Sequence, residues 1–258
     1  GATGYVGGRL VPQLLAAGYR RVFPLSPARE QTLLRSRPLP LHNDERNVRL
    51  HLHNRLLPSY FPAATASPFV AAAGNGTGVS LLSEEALLLH LCCFGALHVW
   101  GKLAWVSDVA WLLATQRLDW TRVREMAANT GCRRMLLLGL LLAADLLDAP
   151  VDDALLANAR SDAQAPRLAA QVKQRFASDL RGRTAETERL LFRSSLIEDA
   201  RHRFKFWSGF LLSPSVEDYQ ALSLPDKLSP LYPAIRPARL AAMLSARPLG
   251  LVRRAPFY

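Results

Sequence analysis

Apolar residues dominate the middle of this chain, between residues 81 and 147, and recur at the spacing of packed helices. The apolar stretches are broken at short intervals by residues that begin or end helices, such as Ser83, Asp119 and Gly131. The pattern therefore predicts a run of consecutive helices. Their predicted bounds are Ser83 to Phe94, Val99 to Ala114, Asp119 to Asn129 and Cys132 to Leu147.

The last of these segments contains the most apolar run of the chain, Met135 to Ala144. Its ten residues are half of the ~20 that a membrane-spanning helix needs. We therefore predict a buried core helix and no membrane span. Further helices are predicted over Asp152 to Arg160, Pro166 to Leu180 and Thr184 to Phe210, followed by a turn at Ser215 and a tail broken by Pro225, Pro230, Pro233 and Pro237.

The N-terminal part of the chain carries strand and turn signals. Apolar and polar residues alternate along residues 47–56, NVRLHLHNRL, which predicts a half-buried strand. The other predicted elements are a helix over Arg9 to Ala17 ended by Gly18, a strand over Arg20 to Leu25, a helical turn over Pro27 to Ser36 and a loop over Pro58 to Gly78. We therefore expect an α+β protein, predominantly α-helical, with a small N-terminal α/β segment (1–80) and a C-terminal helical domain (81–258).

The chain is strongly basic, with a formal net charge of +11 that comes almost entirely from arginine. Arginine suits contacts to phosphate, so a nucleotide or nucleic-acid partner is permitted. A codon bias toward arginine, alanine and leucine explains the same composition. Two clusters could contact phosphate, Arg133–Arg134 and Arg201–Arg203–Lys205, although Phe204, Phe206 and Trp207 beside the second also suit a helix that buries one face.

The cysteines give no sign of a disulfide framework. Cys92, Cys93 and Cys132 are odd in number and form no C-x-x-C motif, so we expect reduced, buried thiols and a cytoplasmic protein. No signal peptide is apparent. Because the chain begins with Gly1 and not with Met, we expect that it is a fragment or the product of a misjoined gene.

A glycine-rich segment, GATGYVGG, opens the chain. Gly1, Gly4 and Gly7 resemble the turn with which short-chain and extended dehydrogenases cradle the pyrophosphate of NAD(P), and GRLVPQLLAAGYR resembles the helix that follows. The resemblance covers residues 1–21 and implies an NAD(P) site. No Tyr is followed four residues later by Lys, the acid/base pair of those enzymes. A glycine-rich helix entry without a ligand is the preferred interpretation.

A second resemblance covers residues 14–244. The segments NVRLHLHNRLLPSYFP, SEEALLLHLCCFGALHVWGKLAWVSDVAWLL and LDWTRVREMAANTGCRRMLLLGLLLAADLLDAP, with PSVEDYQALSLPDKLSPLYPAIRPARL near the C-terminus, resemble the uncharacterised nucleotidyltransferases. The resemblance implies a phosphoryl-transfer enzyme that uses Mg²⁺ and a nucleoside triphosphate. In such enzymes a Gly-Ser turn grips the triphosphate and two carboxylates at D-x-D spacing bind the metal.

This chain departs from the family pattern at the positions that would carry catalysis. No Gly is followed by Ser, and no Asp is followed two residues later by Asp or Glu. His51 and Asn54 stand where the family has Glu and Trp, and Phe94 and Leu97 stand where it has His and Lys. We therefore expect a family member that is catalytically incomplete as given, without metal ligands. The alternatives are a basic helical nucleotide- or RNA-binding module and an NAD(P)-binding oxidoreductase fragment.

Five other residues are candidates for chemistry. His51 and His53 share one strand face and could chelate a metal, but solvated histidines are the simpler interpretation. His90 lies on a leucine-rich helix, as does His98, and both are expected to be hydrogen-bonded and partly buried. Asp108 lies near Trp105 on an apolar helix, where a structural tie to an Arg or Trp is the first expectation and a ligand contact the second.

Overall fold

The computed structural model describes residues 11–22, 39–52, 57–58, 60–61, 70–73, 80–178, 186–213, 218–219, 222, 224–225, 228 and 231–245. Within these ranges, helical residues far outnumber strand residues, so the predicted predominantly helical α+β fold is confirmed. The strands are β1 (Arg20–Arg21), β2 (Leu39–Asn43), β3 (Val48–Leu52), β4 (Val70–Ala73) and β5 (Ser80–Leu82). The helices are α1 (Val11–Ala16), α2 (Glu84–Leu97), α3 (Leu103–Thr115), α4 (Trp120–Thr130), α5 (Arg133–Leu147), α6 (Asp153–Ser161), α7 (Ala165–Ala177), α8 (Glu186–Leu196), α9 (Ala200–Leu212) and α10 (Tyr232–Ser245).

The described residues form two compact units. One unit comprises those within 1–59 and 205–258, and the other comprises those within 60–204. The first unit therefore draws on both ends of the chain, whereas the second is continuous. The boundary predicted near residue 80 stays a prediction. None of the described helices combines the length and the apolar character that crossing a bilayer requires.

An antiparallel sheet of β1, β2 and β3, in that order, occupies the first unit. Leu39 and Leu41 of β2 are buried on one face, where Leu14 and Leu15 of α1 pack against them. The strand predicted over residues 47–56 is found as β3, while β2, its central partner, was not predicted. Pro40 interrupts the apolar alternation there and weakens the sequence signal.

Helix α5 is the centre of the helical unit. Every residue from Arg134 to Ala143 is buried, and α5 packs against α2, α3, α6 and α7. Complete burial explains why this segment is apolar on all sides, because a helix surrounded by other helices has no solvent face. The prediction of a buried core helix is therefore confirmed.

The turn between α2 and α3 is built around Trp100. Val99 and Trp100 both have left-handed backbone conformations, with φ of 59° and 49°, which is rare for residues other than glycine. The Trp100 amide donates to the Gly95 carbonyl at 2.7 Å, and the indole is buried. This conformation ends α2 at Leu97, and α3 begins only at Leu103. The start predicted for the helix over Val99 to Ala114 is therefore wrong.

One glycine makes room for this indole, and a second makes room for Cys92 beside it. A Cβ added at Gly95 would lie 2.5 Å from the Trp100 ring. A Cβ added at Gly139, in α5, would lie 3.1 Å from Cys92 Cβ and 3.4 Å from the Trp100 ring. Because Gly95 belongs to α2 and Gly139 to α5, the indole lies where these two helices approach each other.

The long helix predicted over Thr184 to Phe210 is two helices. Within the described residues, α8 ends at Leu196 and α9 begins at Ala200. Asp199 Oδ1 accepts hydrogen bonds from the Arg201 and His202 amides at 2.7 and 3.1 Å. These are the bonds of an N-cap, which begins a new helix where the apolar periodicity alone continued.

The predicted proline-broken tail is also wrong, because α10 runs through Pro233 and Pro237. Buried Asp218 receives ion pairs from Arg236 and Arg239, and Arg236 Nε donates to the Phe210 carbonyl at 2.8 Å. Tyr232 packs on Tyr219 with ring centroids 4.5 Å apart. These contacts offset the hydrogen bond that Pro237 cannot donate.

The loop predicted over Pro58 to Gly78 is also wrong at β4, which pairs antiparallel with β5.

The Trp100 packing makes the first prediction. Gly95→Ala should lower the free energy of unfolding by about 1–3 kcal/mol, the usual cost of overpacking, even though alanine favours helix by about 1 kcal/mol. The reason is that the added Cβ meets the buried indole, whose position the backbone fixes. Urea unfolding followed by circular dichroism measures the change.

Gly209→Ala in α9 is the matched control. Its added Cβ would meet only Ser213 Oγ, at 3.9 Å. The control should be neutral or more stable than the wild type, since it gains helix propensity without a clash. Equal stabilisation by both substitutions would contradict the assigned role of Gly95.

Candidate functional site

A row of charged and aromatic side chains along α3 is the candidate functional site. Lys102, Trp105, Asp108 and Trp111 follow one another at intervals of three residues. Residues three apart are neighbours on a helix surface, but each such step also turns the side chain by about 60° around the axis, so the four side chains wind around α3 and do not share one face. Lys102 is the N-cap residue of α3. We call these four residues the α3 row.

The α3 row faces solvent. Lys102 and Asp108 are exposed, Trp105 is half-buried, and the Trp111 side chain is 63% exposed. Asp108 is the only charged residue within α3, and no described residue forms a hydrogen bond or ion pair with its carboxylate. The row therefore carries a cation at one end and an unpaired anion between two indoles.

Aromatic contacts fix Trp105 against the end of α2. The Phe94 ring meets Trp105 edge to face at 5.4 Å, and the His98 ring lies 5.7 Å from Trp105. The Phe94 and His98 rings are themselves 4.2 Å apart. Lys102 Nζ lies 5.7 Å from the centre of the Trp105 ring, within the range of a cation–π contact. His98 and Lys102 thus present two nitrogen groups beside one indole.

The histidines of α2 differ in environment. His90 is half-buried, with its ring 6.2 Å from Phe94, and burial lowers the pKa of its imidazole. His98 is exposed, and its Nδ1 lies 2.9 Å from the Phe94 carbonyl oxygen. Partial burial is therefore confirmed for His90 and is wrong for His98, whereas hydrogen bonding is confirmed for His98. The structural tie predicted for Asp108 is not found among the described residues.

Arg133 and Arg134 are held by acidic and carbonyl groups. Arg134 is buried; its Nε donates to Asp162 at 2.9 Å, and its Nη1 donates to the Ser195 carbonyl at 2.8 Å. Arg133 donates to Asn158 at 2.7 Å and to Glu198 at 3.2 Å. These contacts join the start of α5 to α6, to α8 and to the residues that directly follow each of these two helices. The pair acts as a structural connection, and phosphate binding by it is not shown.

The second basic cluster lies at the start of α9. Arg203 donates to the Ile197 carbonyl at 2.9 Å, while Arg201 and Lys205 are exposed. The aromatic residues of this segment do not act together, because Phe206 is buried and Phe204 is 73% exposed. The interpretation that these aromatic residues bury one face of the helix is therefore wrong for Phe204 and holds for Phe206.

Several predicted residues cannot be placed as a site. Gly1, Gly4, Gly7 and His53 lie outside the described residues. His51 belongs to β3, paired with Pro40, but the position of its side chain is not described. The NAD(P) and histidine-metal interpretations therefore stay predictions.

The predicted burial of the cysteines is confirmed. Burial raises the pKa of the Cys92 thiol. A hydrogen bond with Cys132, together with burial, raises the pKa of Cys93. These thiols are therefore protonated at neutral pH, and the thiolate that reactive cysteines need is disfavoured.

Many described carboxylates are already used by the fold. Asp119 accepts bonds from the first amides of α4, and Asp152 does the same for α6. Others form ion pairs, among them Asp44, Glu85, Asp145, Asp162 and Asp218. No group of three or more His, Cys, Asp or Glu side chains suited to a metal ion occurs within the described ranges. The Mg²⁺ expected from the resemblance therefore has no fitting ligand set there.

Sequence reasoning singled out Asp108 and its neighbour Trp105, but missed Lys102 and Trp111 as parts of the same feature. The signal was present in the recurrence of charged and aromatic residues at every third position. Because α3 also carries buried apolar residues, its tryptophans were assigned to the helix pattern as a whole. The exposure of Trp111 distinguishes this indole from the buried Trp100.

The fold and the α3 row together define a basic, mainly helical protein with a small antiparallel sheet and an aromatic, charged surface site. The chain belongs to the family described as uncharacterised nucleotidyltransferases, whose pattern matches residues 8–148. The match includes the sheet, the α3 row and the whole of α5. Neither the curated proteins nor the solved structures gave a match.

The second prediction follows from the ion pair between Arg134 and Asp162. Burial alone would raise the pKa of Asp162, but the Gln164 and Ala165 amides and Arg134 hold it below the ordinary value of 3.8. Asp162→Asn should lower the free energy of unfolding at pH 7 by on the order of 3 kcal/mol, because Arg134 then stays buried without its counterion. The stabilisation is complete above the unfolded-state pKa and is lost as the pH falls through the lower folded-state pKa.

Urea unfolding of wild type and variant at pH 7, 4 and 3 measures this effect. The difference between the two proteins should shrink once the pH falls below 3.8. Asp153→Asn, at an exposed position in the first turn of α6, is the control and should change stability little. A difference for Asp162→Asn that stays constant down to pH 3 would contradict the assignment.

Proposed function

We propose that this chain binds a nucleotide at the cluster of His98, Lys102 and Trp105, and that its 258 residues do not by themselves transfer a nucleotidyl group. The observation that carries the first part is the placement of His98 and Lys102 beside Trp105 in a member of a nucleotidyltransferase family. These groups match the two chemical parts of a nucleotide, its charged phosphates and its planar base.

The chemistry of each group supports this assignment. The Lys102 ammonium offers three donors and a positive charge to phosphate oxygens, and the His98 imidazole adds a nitrogen on the same side of Trp105. The contacts of Phe94 with His98 and Trp105 limit the motion of both rings before a ligand arrives, which lowers the entropy lost on binding. The net charge of +11 attracts anions from solution.

The second part of the proposal rests on the acidic residues. Nucleotidyl transfer depends on carboxylates that hold divalent metal ions, and the sequence contains no D-x-D pair. Asp119, Asp152 and Asp199 accept backbone hydrogen bonds at helix starts. A carboxylate that caps a helix or pairs with arginine loses those contacts if it turns to a metal ion. The proposal therefore separates nucleotide binding from transfer.

Equilibrium dialysis with radiolabelled ATP and ADP tests the binding. Both nucleotides should bind saturably, in magnesium and in EDTA alike, and binding should weaken as salt is raised. Lys102→Ala should weaken ADP binding by about tenfold, because a hydrogen bond to a charged group contributes about 1.5–3 kcal/mol. The absence of saturable binding would overturn the proposal.

Lys173→Ala is the matched control for charge. Lys173 lies on α7 and pairs with Asp145 at 2.6 Å, away from the α3 row in sequence, so its loss should leave ADP affinity unchanged. A transfer assay with magnesium and radiolabelled nucleoside triphosphates completes the test. Label incorporated into an acceptor, and lost on chelation, would disprove the claim that transfer is absent.

A further inference from the structure

Helix α3 exposes one face along its whole length. Its buried residues lie on the other side, at Val106, Val109, Leu112 and Leu113. Six uncharged residues form the exposed side, which we call the open face: Leu103, Ala104, Ser107, Trp111, Ala114 and Thr115. Successive residues turn by about 100° around a helix axis. Trp111 therefore lies near the middle of the open face, and the exposed Asp108 lies at its edge.

The open face presents one large indole among small side chains. Trp111 is 63% exposed. The two hydroxyl protons of the face are used within the helix, because Ser107 donates to the Leu103 carbonyl at 3.3 Å and Thr115 donates to the Trp111 carbonyl at 2.8 Å. A tryptophan at the centre of a patch that lacks charge is typical of a protein–protein contact.

The order of residues on the open face is complementary to a second copy of the same face. A two-fold axis at the level of Val109, the middle residue of α3, makes two such helices antiparallel. Both large side chains of the face, Trp111 and Leu103, then come level with smaller ones on the other copy. This alternation lets two helices pack closely. The residues that come level are Trp111 with Ser107, Ala104 with Ala114, and Leu103 with Thr115.

Charge also favours contact through this face. Two chains of net charge +11 repel each other, so they associate most easily where basic residues are absent. The basic residues nearest to the face in sequence, Lys102 and Arg117, lie beyond its two ends. Asp108 is the only charged residue within α3, and its charge is opposite in sign to the net charge of an approaching copy.

We infer that the open face is a docking surface for a second copy of this chain, in which two α3 helices pack antiparallel with Trp111 of each copy against Ser107 and Ala104 of the other. The helix has 13 residues, or a length of roughly 20 Å. A contact of this size is smaller than a stable dimer needs, so the dimer is weak and depends on concentration. Trp105 of the nucleotide cluster lies about 120° around the axis from Trp111, so this inference is independent of the proposed function.

Sedimentation velocity of the full chain without nucleotide, from about 5 µM to about 500 µM, tests the association. The average sedimentation coefficient should rise with concentration, and added salt should not lower it, because salt screens the repulsion between the basic chains. Trp111→Ala should raise the dissociation constant of the dimer by about tenfold or more. Phe204→Ala removes an aromatic side chain that is 73% exposed on α9, and as the matched control it should leave the dissociation constant unchanged.

Cysteine cross-linking tests the antiparallel arrangement. The native thiols are buried, whereas Ala104 and Ala114 are exposed. A mixture of Ala104→Cys and Ala114→Cys chains should form a disulfide-linked dimer on oxidation with diamide, and either variant alone should not. In the antiparallel pair the two copies of residue 104 are roughly 15 Å apart along the helix axes, which is beyond the reach of a disulfide.

Three results would overturn the inference. The first is a chain that stays monomeric over the whole concentration range. The second is a self-association that Trp111→Ala leaves unchanged, since the contact would then lie elsewhere. The third is a disulfide-linked dimer of Ala104→Cys alone, which requires parallel helices. All three leave nucleotide binding untouched, because the dialysis experiments measure it separately.

Discussion

The packing of Trp100 between α2 and α5 is the constraint on which the helical unit depends. Gly95 leaves free the volume that the indole occupies, Gly139 leaves room for Cys92 beside it, and Val99 and Trp100 adopt left-handed backbone conformations to place the indole there. Such conformations cost about 1–3 kcal/mol each and persist only where surrounding structure requires them. Because the same turn sets where α3 begins, it also sets the position of Lys102 at the start of that helix.

The acidic residues explain how a chain with so much arginine folds. The chain has fewer acidic than basic residues, and many of the acidic ones hold the fold together. Carboxylates form ion pairs with Arg134, Arg236 and Arg239. Others accept hydrogen bonds from backbone amides at the starts of α4, α6 and α9. Each use offsets a buried guanidinium or an unpaired amide, both of which are costly to leave alone. Among the described residues, Asp108 has neither function.

The sequence predicted the helices of the second unit well, because their apolar faces repeat regularly and their caps are strong. Asp119 and Gly131, for example, bound α4 as expected. It failed where tertiary contacts decide the local structure. The left-handed positions of the turn, Val99 and Trp100, are not glycines, and α10 forms through Pro237 because Asp218 lies beside its arginines. The site was only partly predictable, because the sequence does not show which side chains of α3 are exposed.

The two tryptophans at opposite extremes of exposure, Trp100 and Trp111, have a spectroscopic consequence. An indole in an apolar interior emits at shorter wavelength than one in water, so the emission of this protein contains separate contributions from its core and its surface. Quenching by a small solute such as acrylamide reaches the second long before the first. Intrinsic fluorescence can therefore report on events at α3 and on the integrity of the helical unit in the same sample.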